Sequence, residues 1–367
     1  MKKLFTILAV AATLVSCAKE DVVSQAAPEA IGFDNAFVEN STRSEETPGY
    51  SNTESGIFTD FAVFGFVEGA TLFDGVRVAK EGISNGELTS DWKYAGTQYW
   101  ITGANYDFYA VAPFFAANNY WSIATDATKT DAGTTITFTN TDGTQDLLYS
   151  GIVARQGAAR DNAAVAFTFK HILSKVKFSF KNGYNASAAT ICVRDIKITN
   201  AYNTGNAILA TDNVNTDDVD ETISWNNFGG NINIAFGNAT TVATYATDAP
   251  VEGSATNNLA NYDYAYDTTV ESYYERFVIP ASREWNISFK VDLLVSGQLI
   301  ATYDHTAKAN VDFQPGKSYD ILAEITASNI DPNHAQEPIE FTATMTDWTT
   351  AEDKTATVDT IQQGTQN

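Results

Sequence analysis

The chain has 367 residues, 44% of them hydrophobic and 12% aromatic, which is enough apolar material for sizeable cores in about two domains and excludes a disordered chain. Its 45 acidic residues against 22 basic ones give a net charge of -23. That excludes nucleic acid as a partner, because a polyanion would be repelled, and leaves solubility with weak self-repulsion as the plain meaning of the charge.

In chain order, Met1-Lys2-Lys3 is a positive start and Leu4 to Val15 an apolar run too short to span a bilayer comfortably, so residues 1–16 read as a lipoprotein signal peptide. The run ends Leu14-Val15-Ser16 before Cys17, which resembles a bacterial lipobox with Cys17 as the lipid attachment site and new N-terminus, the alternative being an ordinary signal peptide with a stray cysteine. Ala18 to Asp21 ("AKED") is similar to the signal that sends Bacteroidetes lipoproteins to the outer face of the outer membrane. With Cys17 acylated, Cys192 has no disulfide partner, and its setting in "TICVRDIKIT" predicts a buried small hydrophobe in a strand. Residues 30–38, "AIGFDNAFV", place Ile31, Phe33 and Phe37 in one odd phase, a strand that can lay several side chains into one sheet face. Burying those three gives on the order of 5 to 9 kcal/mol before entropy costs. The polar stretch after it, with Arg43 before Ser44, is accessible chain of the kind proteases cut.

From there the signal is strand almost throughout. Val, Ile, Thr, Tyr and Phe runs recur every ten or so residues: "DFAVFGFV" (60–67), "NYDFYAVAPF" (105–114), "TTITFT" (134–139), "AVAFTF" (164–169), "KVKFSF" (175–180) and "WNISFKVDLLV" (285–295). In the last, Ile287, Phe289, Val291 and Leu293 share one face and Ser288, Lys290 and Asp292 the other, which predicts one buried and one wet face per strand. Phe167 and Phe169 are odd whereas Val176, Phe178 and Phe180 are even, so the chain breaks near His171 to Ser174, a crossover between two sheets or domains. Asn182 to about Ser272 reads as elaborated loops holding only weak strands. Near the end Ile339, Phe341, Ala343 and Met345 alternate, with Trp348 out of phase, so that strand bends or stops before the tryptophan.

Catalytic patterns do not emerge. His171, His305 and His334 are far apart in sequence and in no metal-ligand spacing, and there is no nucleophile elbow, phosphate loop or CxxC. His171 at the phase break reads as a structural hydrogen-bonding residue. In the acidic run 211–221, Asn213, Asn215 and Asp217 match the first ligand positions of an EF-hand, but Asp218 replaces the turn glycine and Ser224 the bidentate Glu, leaving a looser calcium site or a solvated acidic loop. Carboxylate pairs for glycoside hydrolysis are defined by distance, which sequence does not give. Trp92, Trp100, Tyr120 and Trp121 could stack on sugars, yet such residues in sandwich strands are more often packing. No catalytic residue, metal ligand or cofactor is assigned.

Taken in order, the lipobox, "IGF" (31–33) ahead of an arginine, "FAVFGFV", "WKYAGTQYW" (92–100), "YDFYAVAP" (106–113), "DLLYS" (146–150), "FTFKHILSKVKFSF" (167–180), "FVIPA" (277–281), "FQPGKSYDI" (313–321) and Trp348 resemble the fimbrillin family of Bacteroidales. The resemblance runs from Met1 to about Trp348. It implies an all-β chain of two transthyretin-like β-sandwich domains in tandem: residues 17–43 as a lipidated extension with a removable strand, 44–165 as the N-terminal domain and 166–367 as the C-terminal one. It implies a non-enzymatic subunit of a type V pilus, exported as an outer-membrane lipoprotein and cut after Arg43 by a trypsin-like surface protease. Lipid and first strand would leave together, and a strand from a neighbouring subunit would fill the groove. The partners are then other fimbrial subunits, that protease and a host or bacterial surface ligand. The donor would be the run Ile339, Phe341, Ala343, Met345, or "TATVDTI" (355–361). Stalk subunit and tip adhesin share these motifs, and a permanently anchored lipoprotein binding glycans is the rival from another class.

Overall fold

In the computed structural model of the chain, the described residues are 28–38, 60–80, 83–84, 87–88, 92–114, 120–124, 134–184, 190–209, 223–236, 275–295, 298–348 and 356–357. Among them every regular element is a strand, so the fold is all-β as expected. The strands are β1 (Phe33–Val38), β2 (Asp60–Val67), β3 (Ala70–Ala79), β4 (Ile83–Ser84), β5 (Glu87–Leu88), β6 (Lys93–Tyr94), β7 (Asn105–Ala112), β8 (Trp121–Ala124), β9 (Thr134–Thr139), β10 (Leu148–Tyr149), β11 (Val153–Gln156) and β12 (Val165–His171). The remainder are β13 (Ser174–Asn182), β14 (Thr190–Leu209), β15 (Ile223–Ala235), β16 (Arg276–Val278), β17 (Ser282–Val295), β18 (Gln298–Asp312), β19 (Lys317–Ile325), β20 (Phe341–Asp347) and β21 (Ala356–Thr357).

Among the described residues the strands form three sheets, with β4 and β5 forming a separate pair. The first runs β1-β12-β10-β7-β2-β3-β6, with β11 also on β7; the second β16-β13-β19-β20-β21; the third β18-β17-β14-β9-β8, with β15 also on β14. The first sheet curls until its ends meet, through a bridge between Ala30 and Tyr99 and backbone bonds from Ile31 N to Gln98 O and from Trp100 N to Glu29 O. Inside the curl lies a core of Ile31, Phe33, Phe61, Val63, Phe73, Trp92, Trp100, Tyr106, Phe108, Phe167 and Phe169, among others. Gly65 makes room there, since a Cβ would sit 2.7 Å from the Phe73 ring and 2.9 Å from that of Phe108. A second core, around Phe178, Phe180, Ile287, Phe289, Ile321 and Phe341, fills the space between the second sheet and the β14–β17–β18 part of the third.

A third core departs from the one-wet-face expectation. Strand β2 is buried on both sides: Phe61 and Val63 face the curl, while Ala62, Phe64 and Phe66 pack with Tyr109, Val111, Ile136, Phe138, Ala207 and Leu209. The cause is that β9 and the far half of β14 lie over the outer face of the first sheet, so its central strands are continuous apolar runs rather than alternating ones. Asp292 also departs from expectation. It is buried, not wet, and takes Arg194 Nε at 2.7 Å, Arg194 Nη2 at 3.3 Å and the Thr302 hydroxyl at 2.6 Å. A carboxylate can be buried when charge and hydrogen bonds compensate its lost water.

The loop reading of 182–272 is corrected in part as well, because β14 with 20 residues and β15 with 13 are among the long strands of the molecule. Their Asn, Thr and Gly content hid them, and only the tertiary layer they build explains why they are extended. By contrast, the phase break at 171–174 is as expected: β12 ends at His171 in the first sheet and β13 starts at Ser174 in the second. Ile172 and Leu173 between them are buried in the third core, so this one stretch feeds all three. Cys192 is buried as expected.

Candidate functional site

The N-terminal segment is held from both sides. Strand β1 runs parallel to β12, with Phe33 opposite Val165 and Phe37 opposite Thr168, and Val165 N donates to Gly32 O at 2.8 Å. On the other side Ile31 and Glu29 bond the 98–100 backbone as above. Tyr94 donates its hydroxyl to Ile31 O at 2.7 Å, and burial keeps that phenol above its usual range, so it stays a donor. At the mouth of the curl, the Asn162 backbone and side-chain amides donate to Glu29 Oε2 at 2.9 and 2.7 Å. Those two donors, the backbone one first, hold the Glu29 carboxyl below its ordinary value.

Ile31 and Phe33 are 1% and 5% exposed, and Phe33 sits at the centre of an aromatic cage. Its ring centroid lies 5.3 Å from Tyr94, 5.6 Å from Phe73, 5.9 Å from Phe167 and 6.2 Å from Phe108. Edge and stacked contacts of this kind add to the area term. Taking the segment away would therefore uncover four rings and leave the backbone edges of β12 and 98–100 unpaired. No tight turn joins β1 to a sheet neighbour, since its partner β12 is more than a hundred residues on.

At the other end of the chain, β20 pairs antiparallel with β19, Phe341 opposite Ala323 and Met345 opposite Tyr319, and β21 lines its outer edge. Ile339, Phe341 and Ala343 are buried in the second core, with Phe341 within 6.1 to 6.4 Å of Phe178, Phe180 and Phe289, and Met345 packs against it partly buried. The strand stops at Asp347, before the out-of-phase tryptophan. Trp348 leaves that core for the third one: its ring stacks on His171 at 3.6 Å and on Phe277 at 5.2 Å, with Lys175 Nζ 5.3 Å away, while its backbone N–H donates to Gly316 O. His171 in turn bonds buried Asp146 through Nδ1 at 2.6 Å. An Asp–His pair invites a catalytic reading. Yet among the described residues His171 bonds no Ser, Thr or Cys, and its ring face is covered by Trp348, so it is a fastening.

The other expected positions divide. Trp92 and Trp100 are core, while Tyr120 and Trp121 pack partly buried against the third core, with the Trp121 indole donating to Pro113 O. His305 and His334 bond Ile330 O and Asp331 respectively and do not meet His171. No metal-holding cluster occurs among the described residues. Cys17, Arg43, Ser44 and the acidic run 211–221 lie outside the described residues, as does the Phe37 side chain. Sequence reasoning missed Tyr94, Glu29 and Asn162, whose roles depend on contacts far along the chain and leave no local signal.

A family model described as fimbrillin-like matches residues 42–348, most of the chain. The chain belongs to the fimbrillin-like family. It is thus a non-enzymatic structural protein of cell-surface fimbriae, as the resemblance implied. The curled all-β fold is shared with a fimbrial protein from Bacteroides vulgatus at a TM-score of 0.56 and 15% identity, over 87% of this chain and 99% of that one. A candidate cell adhesion protein from Bacteroides uniformis matches with a TM-score of 0.45 and 15% identity over 88% and 98% of the two chains. Another from Bacteroides ovatus matches at 0.44 and 12% over 89% and 99%. No match was found among curated proteins.

Proposed function

We propose that this fimbrillin-like chain is an exported lipoprotein, acylated on Cys17 at the outer membrane, that is cut between Arg43 and Ser44 by a trypsin-like surface protease and then polymerises by strand exchange into a fimbria. The observation that carries the reading is the caging of Ile31 and Phe33 inside the curled sheet by a segment that no tight turn ties to its neighbours. After a cut at Arg43 only non-covalent contacts would retain it. Two buried side chains of this size are worth about 3 to 6 kcal/mol in area terms, enough to make the vacated groove demand a replacement strand. A strand added from another subunit would restore both backbone edges and the apolar contacts.

The donor is the tail beyond Trp348, in or around residues 355–361, and β20 is retained. Withdrawing Ile339, Phe341 and Ala343 would open the second core, whereas residues past Trp348 leave from an anchored root. On this reading the boundary between the two tandem domains moves from the expected 165/166 to Ile172-Leu173, because β12 lies in the first sheet; one domain is then built round the curl and one round the second core, with the third core joining them. Adhesion to host or bacterial surfaces is the use of the fibre.

The test is N-terminal sequencing and mass spectrometry of protein taken from cells, with negative-stain microscopy after limited tryptic digestion. Mature protein starting at Ser44 without lipid, and fibres on digestion, are expected. Recovery only of a Cys17-lipidated chain that never forms fibres would overturn the proposal.

A further inference from the structure

The layer that covers the outer face of the first sheet carries no charge. Residues 120–124, 134–140, 198–209 and 223–236 are thirty-eight positions without one Asp, Glu, Lys or Arg, where the chain's 18% average would place about seven. They include all of β8, β9 and β15 and the far half of β14. One side of this layer faces the third core and, at Ile198, Ala201, Ile234 and Phe236, the second. The other side of β15 presents Ser224, Asn226, Asn227, Asn231 and Asn233 to solvent.

Within that amide-rich strip an aromatic ring is held outward. Thr204 pairs with Gly229 and Asn206 with Asn226, so Asn227 and Phe228 together stand opposite the single residue Gly205. This is a bulge, with Asn227 in the left-handed region at φ 49°. Gly205 fits closely there: a Cβ would lie 3.0 Å from the Ile279 side chain, 3.2 Å from Trp225 and 3.4 Å from Phe228. The bulge lays Phe228 flat on Tyr202, centroids 4.4 Å apart at 15°. The Arg283 guanidinium lies 4.2 Å from the Tyr202 centroid, and two groups that close to one ring need opposite faces. Tyr202 is therefore packed on both sides, and Phe228, 36% exposed, is the outer leaf of the stack.

We infer that this surface is a binding site for a neutral glycan, with Phe228 as the stacking platform and the β15 amides as its hydrogen-bonding rim. A carboxamide presents a donor and an acceptor side by side, the complement of vicinal sugar hydroxyls, and an exposed ring face suits the apolar C–H side of a pyranose. The strip lacks the exposed Leu, Met and Ile that a protein-binding core would need. A chain of net charge -23 repels anionic polysaccharides, so the ligand class is uncharged. The site lies away from the β1 cage and does not depend on cleavage.

The test is affinity electrophoresis of the full, uncut chain through gels containing yeast α-mannan, laminarin or xylan, with heparin as the charged comparison. Retardation by at least one neutral polysaccharide and not by heparin is expected. Phe228→Ala should weaken it about tenfold, and Asn226→Asp, a surface change that leaves the stack in place, should weaken it severalfold. The inference is overturned if no neutral polysaccharide retards the chain, if heparin retards it more, or if both variants migrate as the parent. It is equally overturned if Phe228→Ala instead abolishes self-association without any glycan effect, which would assign the surface to a second copy.

Discussion

The segment toward one end of this chain, β1, and the strand near the other end, β20, look alike in sequence: short alternating apolar runs followed by a polar stretch. The structure surrounds them differently. Phe33 fills a cage otherwise made by residues 73–167, and its backbone is gripped from both sides by segments remote in sequence. Phe341 belongs to the core of its own sheet, and Trp348 pins the strand's exit against His171 and Phe277. A strand can be exchangeable while deeply buried, provided its covalent link is long and cuttable. Alternation alone does not distinguish a removable strand from a retained one. On the proposed reading β20 is the retained one, because Trp348 anchors its exit.

The largest effect that could break this comparison comes from truncating the two phenylalanines. Phe33→Ala and Phe341→Ala should each cost about 3 to 5 kcal/mol in denaturant unfolding of the uncut chain. After tryptic release of the segment, the Phe33→Ala subunit should assemble like the parent, because the altered residue has departed, whereas Phe341→Ala subunits remain weak. Equal assembly defects in both would erase the distinction.

Trp348→Ala comes next. Loss of the ring should cost about 3 kcal/mol or more and raise hydrogen exchange at Ile172, Leu173 and Gly316, where the two halves meet. Unchanged exchange there would mean that Trp348 is not the root at which the tail begins.

Asn162→Ala should be milder, leaving the fold intact and speeding release of the cut segment a few-fold, read by the appearance of free N-terminal peptide.

The smallest effect is a pH dependence at the second core, where His305 stacks on Phe289. Burial, against a weaker pull from the Ile330 carbonyl, lowers His305 below its ordinary value of 6.5, so the folded state favours the neutral ring. Its share of stability is full above 6.5 and is lost as pH falls from there toward the folded value. His305→Gln should flatten the slope of Tm between neutral and mildly acid pH, and an unchanged slope would refute it.

Much of the fold was legible. The shift from odd to even phase across Phe169 and Val176 located the passage between sheets, and the misfit of Trp348 located the end of β20, because strand geometry permits only two faces. The candidate removable strand was legible through Ile31 and Phe33, though not its clamps. The first half of β14 was legible as a strand around Cys192, but its far half and β15 were missed because an Asn-, Thr- and Gly-rich extended ribbon has the composition of a loop. The two-sided burial of β2 and the burial of Asp292 needed the overlying layer and Arg194 to be seen.

By itself, then, the sequence determined strand periods, the breaks between them and the family, since these are properties of neighbouring residues and of motif order. Which strands are caged, which are anchored, and that an uncharged ribbon turns one aromatic ring outward were decided only by the tertiary structure. Each of these depends on contacts between segments dozens to more than a hundred residues apart, and no local pattern encodes them.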